Sequence, residues 1–308
     1  ISAADIDGLL AFALDKKIDL TVVGPELPLS LGIVDAFCDK DFKVFGPNKS
    51  AARLESSKSF AKDFMKKYNI PTAGYRVCRS YDEAVEAAKG FGFPVALKAD
   101  GLAAGKGVII AQDRDQAGSA IREMLGGKFG GAGKTIVVEE FLTGPEVSVL
   151  AFADGKRAVP MVSAQDYKRA LDKDRGLNTG GMGAVSPALH YKDEIAKIVK
   201  SDIIDTTIQG LILEGIDYRG VLYFGLMLTK DGPKVIEFNA RFGDPETQAV
   251  LPRLQSDLVE IMELAAEGRL DKADIRWSDD AAQCVVIASG GYPEEYVKGY
   301  EITGLGNV

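Results

Sequence analysis

The sequence predicts an α/β fold continuing into an α+β region, on three observations. Helical and strand patterns alternate through the first half of the chain, the signature of βα units and a parallel sheet. A hairpin stands late in the chain, with Gly220 to Thr229 and Lys234 to Phe238 joined by the turn Lys230-Asp-Gly-Pro233. The 308 residues are 46% apolar and 27% charged, with 34 Gly and 12 Pro, proportions that exclude collagen-like, low-complexity and mostly disordered classes and allow about two domains.

Ile6 to Lys16 carries its apolar residues at i, i+3 and i+4 and predicts an amphipathic helix. The strand Leu20 to Val23 follows, then the turn Gly24-Pro25-Glu26, a helix over Leu29 to Cys38, and the strand Lys43 to Phe45. Ser57 to Tyr68 is helical and stops at Asn69-Ile-Pro71. Ser80-Tyr-Asp-Glu83 is a capping box that opens a helix to about Lys89, since the two side chains satisfy each other's orphan N–H groups. Val95 to Lys98, Val108 to Ala111, Ile136 to Phe141 and Val147 to Ala153 are strands, and a helix over Asp115 to Leu125 separates the second from the third. Gln165 to Pro187 is polar, glycine-containing and without clear period, which predicts a long functional loop. Helices are predicted over Asp193 to Glu214 and Ser256 to Gly268, and Ala282 to Ser289 is a strand that begins a further unit.

Net charge is −8, which argues against non-specific nucleic-acid binding, because that needs basic surface to displace counterions. No stretch approaches the roughly 20 apolar residues of a membrane span, and no signal peptide is evident. Cys38, Cys78 and Cys284 form no CxxC, so they are expected as reduced thiols, mostly in the core, in a reducing cytosol. His190, the single histidine, leaves little room for triad or zinc chemistry and is expected on the surface. The chain starts without Met and ends at Gly304-Leu-Gly-Asn-Val308 without an obvious terminal element, so a fragment of something longer is expected.

Four constellations can carry chemistry. The glycine loop Lys98-Ala-Asp-Gly101-Leu-Ala-Ala-Gly105-Lys106-Gly107 lies between two strands but fails the P-loop spacing, and Gly133-Lys134-Thr135 fails it too. Such a loop can still cover a triphosphate, since glycines admit close backbone approach and lysine supplies a mobile charge; alone, it is equally a flexible hairpin. Glu237 and Asn239 share one strand face roughly 7 Å apart, and offer hard oxygens suited to Mg²⁺ or simply a solvated polar face. Glu139-Glu140-Phe141-Leu142, running into Thr143-Gly-Pro-Glu146, can present backbone to an adenine edge and a carboxylate to a ribose, or be a strand with a charged end. Gln165-Asp166-Tyr-Lys168-Arg169 leads to Asn178-Thr179-Gly180-Gly181-Met-Gly183, which can form an anion nest or a mobile loop.

These pieces, in this order and with Val23-Gly-Pro-Glu26 and Val235-Ile-Glu-Phe-Asn-Ala-Arg-Phe-Gly-Asp-Pro-Glu246, resemble the ATP-grasp carboxylate–amine ligases, and in wording the glycinamide ribonucleotide synthetases among them. The resemblance covers essentially the whole chain. It implies an ATP-grasp fold over 52–270 with a lid at about 72–136, preceded by part of a Rossmann-like domain (1–51) and followed by the start of a C-terminal domain (271–308). It implies a cytoplasmic ligase of purine biosynthesis, a monomer or weak homodimer, that joins glycine to 5-phosphoribosylamine through glycyl phosphate, using ATP and Mg²⁺ or Mn²⁺. Lys58 and Lys98 would contact phosphates, and Gly101, Gly105, Lys106 and Gly107 would form the lid loop. Glu139, Phe141 and Leu142 would hold adenine and Glu146 the ribose. Glu237 and Asn239 would ligate metal without help from the preceding strand, because Leu222 to Leu228 is apolar throughout. Arg241, Gly243 and Asp244 would face the reacting carboxylate, with Arg241, Lys98 and Lys106 catalytic. Glu26, Asp166, Lys168, Asn178, Thr179, Gly180 and Gly181 would build the glycine and phosphoribosylamine pocket. The family's opening glycine-rich βα turn would precede Ile1. A related ligase with another acid and amine, or an ATP-binding module without catalysis, are the alternatives.

Overall fold

The computed structural model describes residues 1–102, 107–173 and 175–307. Helix α1 (Ile6–Lys16) begins at Asp5, whose carboxylate accepts from the Gly8 N–H at 2.9 Å. Strands β1 (Thr21–Val22) and β2 (Val44–Phe45) pair in parallel, Thr21 opposite Val44. Between them the single helix expected over Leu29 to Cys38 is two, α2 (Glu26–Leu31) and α3 (Ile33–Cys38). Gly32 divides them at φ 97°, a left-handed conformation that glycine adopts without a Cβ penalty. Leu29, Val34, Phe37 and Val44 form the core of this part.

A short helix not expected from the sequence, α4 (Arg53–Ser56), leads through the Ser57 cap into α5 (Lys58–Lys67). Beyond Pro71 come β3 (Tyr75–Cys78), α6 (Tyr81–Phe91), β4 (Val95–Ala99), β5 (Val108–Ala111), α7 (Arg114–Glu123) and β6 (Ile136–Glu140). The strands make an antiparallel sheet in the order β3-β6-β4-β5. The Ser80 capping box forms as expected, and Ala84, Ala87 and Ala88 let α6 sit close to Leu97 and Val138.

The remainder holds β7 (Glu146–Asp154), β8 (Ala158–Pro160), β9 (Gln165–Asp166), β10 (Arg169–Leu171), β11 (Arg175–Asn178) and β12 (Gly183–Ser186). Then α8 (Asp193–Ile198) runs through a π-helical stretch, Val199–Asp205, into α9 (Thr206–Leu213). Strands β13 (Arg219–Thr229) and β14 (Gly232–Asn239) form the expected hairpin, followed by α10 (Thr247–Val250), α11 (Leu258–Ala266) and β15 (Ala282–Val285). The second large sheet has the order β14-β13-β7-β8. Val149, Leu222 and Phe224 pack towards the α9 side with Ile203 and Ile208, and Leu150, Val221 and Tyr223 pack with Ile261 on the α11 side. Burial on both faces explains why β13 reads as an unbroken apolar run.

Several expectations change. Among the described residues, β1 and β2 are the only parallel strand pair and every other strand pair is antiparallel, with one isolated parallel bridge between Thr72 and Val235. Gln165 to Pro187 is not a structureless loop but carries β9 to β12. The strand from Ala282 ends at Val285, short of the expected Ser289, and pairs with β12, opposite Ser186 to Gly183. Cys78 is buried, but Cys38 is exposed and Cys284 half-buried, so the thiols are not mostly core. His190 is exposed as expected.

Candidate active site

The two large sheets join where β14 passes the segment after α5. The Val235 N–H donates to Pro71 O at 2.8 Å, the Thr72 hydroxyl to Val235 O at 2.7 Å, and Lys62 Nζ to Thr72 Oγ1 at 2.8 Å. Lys98, at the end of β4, crosses the same junction to donate to Ile236 O at 3.1 Å. Glu139, one strand over on β6, closes the group: its Oε2 lies 2.7 Å from Lys62 Nζ and 3.0 Å from Lys98 Nζ, all three side chains nearly buried. Burial, together with the Lys98 charge and against the pull of Glu139, lowers Lys62 to a pKa of about 8. Two ammonium groups here share one carboxylate, and Glu139 Oε1 has no partner among the described residues.

Glu237 stands next along β14. Burial pushes its carboxyl up, but Lys168, Lys98 and Lys58, with the Asn239 side chain nearby, bring it below its usual range. Lys58, the first residue of α5, donates to Gly101 O at 3.1 Å, and burial lowers its pKa. Lys168 reaches in from beyond β9, 3.1 Å from Glu146. Burial works against its charge, yet Glu146 and Glu237 outweigh that and raise its pKa. A cleft lined by Glu146, Ser148, Asp166, Lys168, Tyr223 and Glu237 lies over this sheet. In its wall Ser148 Oγ, Tyr223 Oη and Glu246 Oε1 form a buried triangle with sides of 2.8, 2.9 and 2.8 Å. Asp166 Oδ1 is buried without a partner among the described residues. Burial, then the Glu246 and Glu146 charges, push Asp166 up to about 7 against the opposing effect of Lys168.

Arg241 follows β14. Its Nη2 is 3.2 Å from Glu55 Oε1, its Nη1 donates to Phe242 O at 3.1 Å, and its Nε is 4.0 Å from Glu26. Gly243 has no room for a side chain, since a Cβ would meet Glu246 Oε2 at 2.6 Å. Gly181, at φ 122°, packs against Pro245 in the same way, and Thr179 Oγ1 accepts from its N–H at 3.0 Å. The Gly180 N–H donates to Tyr292 Oη at 2.9 Å.

Of the residues in the sequence reading, Glu146, Asp166, Lys168 and Glu237 line one cleft, Lys58, Lys98 and Asn239 lie near Glu237, and Arg241 is held by Glu55 beyond the end of β14. Phe141 is exposed and Leu142 half-buried beyond β6. The Glu139 carboxylate is directed to two lysines, because β6 turns that side chain into the junction. Asp244 is exposed and accepts from Gln248 Nε2 at 2.6 Å, and Asn178 is exposed at the end of β11. Gly107 holds the Ala99 N–H at 2.8 Å, while Gly105 and Lys106 lie outside the described residues. Glu55, Lys62, Ser148, Tyr223 and Glu246 were missed. Only Glu246 carried a signal, its place in the Asp-Pro-Glu turn.

Two antiparallel sheets that join at buried lysines paired with a carboxylate, beside a cleft lined by Lys168 and acids, are the arrangement that the resemblance to the ATP-grasp ligases implies. Comparison with known proteins narrows the class. The ATP-grasp (A) domain of phosphoribosylglycinamide synthetase matches residues 56–247, and the N domain of the same enzyme matches residues 1–55. The phosphoribosylamine–glycine ligase of Halalkalibacterium halodurans is 53% identical over 99% of this chain and 71% of its own length. The crystal structure of the Thermotoga maritima phosphoribosylamine–glycine ligase matches with a TM-score of 0.79 at 40% identity, over 84% of this chain and 66% of that one. The biotin carboxylase domain of Hydrogenobacter thermophilus 2-oxoglutarate carboxylase, solved with MgADP, ADP and bicarbonate, shares the fold at 17% identity and a TM-score of 0.73, over 91% of this chain and 61% of that one. The chain belongs to the phosphoribosylglycinamide synthetase family, the ATP-dependent carbon–nitrogen ligases that join glycine to phosphoribosylamine in purine biosynthesis. Among the described residues, no helix is long and apolar enough to cross a membrane.

Proposed function

We propose that this cleft performs both halves of the ligase reaction, with the triphosphate of ATP lying over Lys58, Lys98 and the Gly101 to Gly107 loop. The observation that carries the reading is the junction where Lys98, 3.0 Å from Glu139, donates to Ile236 O at 3.1 Å beside Glu237, with Lys58 and Lys168 near enough to help hold the Glu237 carboxyl below its usual range. Adenine rests against Phe141 and Leu142 where β6 ends, with Glu139 behind them, and the ribose hydroxyls meet Glu146. A divalent metal fits Glu237 and Asn239. They are hard oxygen donors on one strand face, and Glu237 is held ionised. Among the described residues no group of three or more His, Cys, Asp or Glu side chains forms a metal site, so the phosphates would complete the coordination of Mg²⁺ or Mn²⁺. Bound there, the metal supplies charge neutralisation for the phosphates.

Arg241, with Gly243 and Asp244 beside it, orients the glycine carboxylate. One carboxylate oxygen forms a bond to the γ-phosphorus as the bond to the β–γ bridging oxygen breaks, giving glycyl phosphate and ADP. The amine of phosphoribosylamine then attacks the carbonyl carbon, inorganic phosphate leaves, and the nitrogen loses its proton. Glu26, Asp166, Lys168 and Asn178 to Gly181 form the pocket for glycine and the amine. Such a reaction depends on positioning and electrostatics more than on a protein nucleophile, which suits a cleft built of lysines and carboxylates. Closing the loop over the phosphates keeps water from the acyl phosphate.

Residues 1–51, 52–270 with a lid at about 72–136, and 271–308 are the working parts in this reading. The free cysteines suit a cytoplasmic enzyme acting as a monomer or weak homodimer. Hydroxylamine trapping tests the site reading. With Mg-ATP, glycine should give hydroxamate and ADP without phosphoribosylamine, and a different preferred acid would overturn the glycine pocket.

A further inference from the structure

We infer that Glu55, on the short helix α4, is the positioning residue that sets the Arg241 guanidinium for the substrate carboxylate, an inference that rests on the role proposed above for Arg241. The Glu55 side chain is only 8% exposed, and both of its oxygens are committed to the chain just beyond Asn239. Its Oε2 accepts from the Ala240 N–H at 2.7 Å, and its Oε1 lies 3.2 Å from Arg241 Nη2. One carboxylate thus fixes the backbone where β14 ends and also one edge of the guanidinium that follows. The Phe242 carbonyl takes Nη1 at 3.1 Å. The remaining contact, Nε to Glu26, is 4.0 Å long and reaches a carboxylate about a third exposed, so the guanidinium is loosest on the side facing Glu26. An incoming carboxylate can compete there without breaking the Glu55 contact.

A purely structural tie between α4 and β14 would need only the Ala240 contact. The second oxygen, placed on Arg241, is what a structural tie does not explain. Glutamine at this position keeps the size and can still accept from Ala240. It must then turn its NH₂ towards a guanidinium that has no acceptor to offer.

The experiment measures glycine-dependent hydroxamate formation and melting temperature for the full chain, for E55Q, for R241K and for the double variant. The expected result is a kcat about 10- to 100-fold lower for E55Q, in line with misplacing a reacting group by about an ångström. Glycine KM should rise while ATP KM changes less than about twofold. In the R241K background, E55Q should cost less than about threefold further, because its effect passes through the arginine. Wild-type kcat and glycine KM in E55Q, with R241K impaired, would overturn the role of Glu55. So would full multiplication of the two effects. Wild-type kinetics in R241K would instead overturn the reading of Arg241, and this inference with it. Should E55Q fail to fold, E55D is read in the same cycle. It keeps the charge but is one methylene too short to span Ala240 and Arg241, so wild-type kinetics in E55D would likewise refute positioning.

Discussion

Asp166→Asn should make the protein more stable at pH 8 while reducing its activity. Asp166 is pushed up to about 7 by burial and by the Glu246 and Glu146 charges, whereas in an unfolded chain it titrates near about 3.9. The folded protein therefore holds the proton more tightly than the unfolded chain between these values, and stability falls as pH rises from about 4 to about 7. Above that range both states are ionised and the folded state carries the whole cost. A difference of about three pH units corresponds to about 4 kcal/mol, and solvent screening at this half-buried group reduces the figure to about 2 kcal/mol. Asparagine is neutral throughout and escapes this cost. Urea unfolding of the wild-type and D166N proteins should thus show D166N more stable by about 2 kcal/mol at pH 8 and about equal at pH 4. Hydroxamate formation should fall, the usual exchange of activity for stability at a functional carboxylate. A stability difference that is the same at both pH values, or that favours wild type at pH 8, would refute the electrostatic account of this residue.

Glu237→Ala should lower metal-dependent turnover by about 10²-fold or more, and a Mg²⁺ titration of the rate that is unchanged from wild type would remove Glu237 from the metal site. Lys62→Met should destabilise by about 1–3 kcal/mol in urea unfolding, since the Thr72 hydroxyl loses its donor and Glu139 keeps only Lys98. Gly181→Ala puts a Cβ 2.3 Å from Pro245 Cδ at φ 122°, and should cost about 2 kcal/mol or more and weaken glycine use, both read by thermal melts and glycine KM.

The parts of the fold legible in the sequence are those whose signals are local. The Ser80 capping box, the β13–β14 hairpin and the apolar strands β4, β6 and β7 each carry their evidence within a dozen residues. Strands β9 to β12 are two to four residues long and largely polar, and they exist through pairing with remote partners; β12 finds β15 about a hundred positions on. The break at Gly32 was missed because an apolar period continues across it. The same division runs through the site. Glu237 and Asn239 share a strand face by their spacing, whereas the roles expected of Lys98, Arg241 and the Asn178 to Gly181 turn come from motifs that resemble a known family. Glu55 meets Ala240 across 185 positions, and Ser148 meets Glu246 across 98, so nothing around either residue in the sequence marks it. Lys62 looked like any charged residue on an amphipathic helix, and only its burial distinguishes it.

The electrostatics of the junction follow from one imbalance. Lys62 and Lys98 share the Glu139 carboxylate, while Glu237 acts on Lys58, Lys98 and Lys168, with Asp100 and Glu55 also near Lys58 and Glu146 and Asp166 also near Lys168. Burying ammonium groups is expensive unless they are paired, and one carboxylate between two lysines leaves part of that cost standing. The lowered pKa of Lys62 and Lys58 registers this cost within the folded chain. In the function proposed above, a triphosphate over Lys58 and Lys98 would relieve part of it, since its oxygens would meet ammonium groups that are already desolvated and fixed. Glu139 then does more than hold charge. Without it, Lys62 and Lys98 would repel each other across the junction, and the two sheets would meet along an unpaired positive seam. A carboxylate there keeps the two lysines in place while it is shared between them.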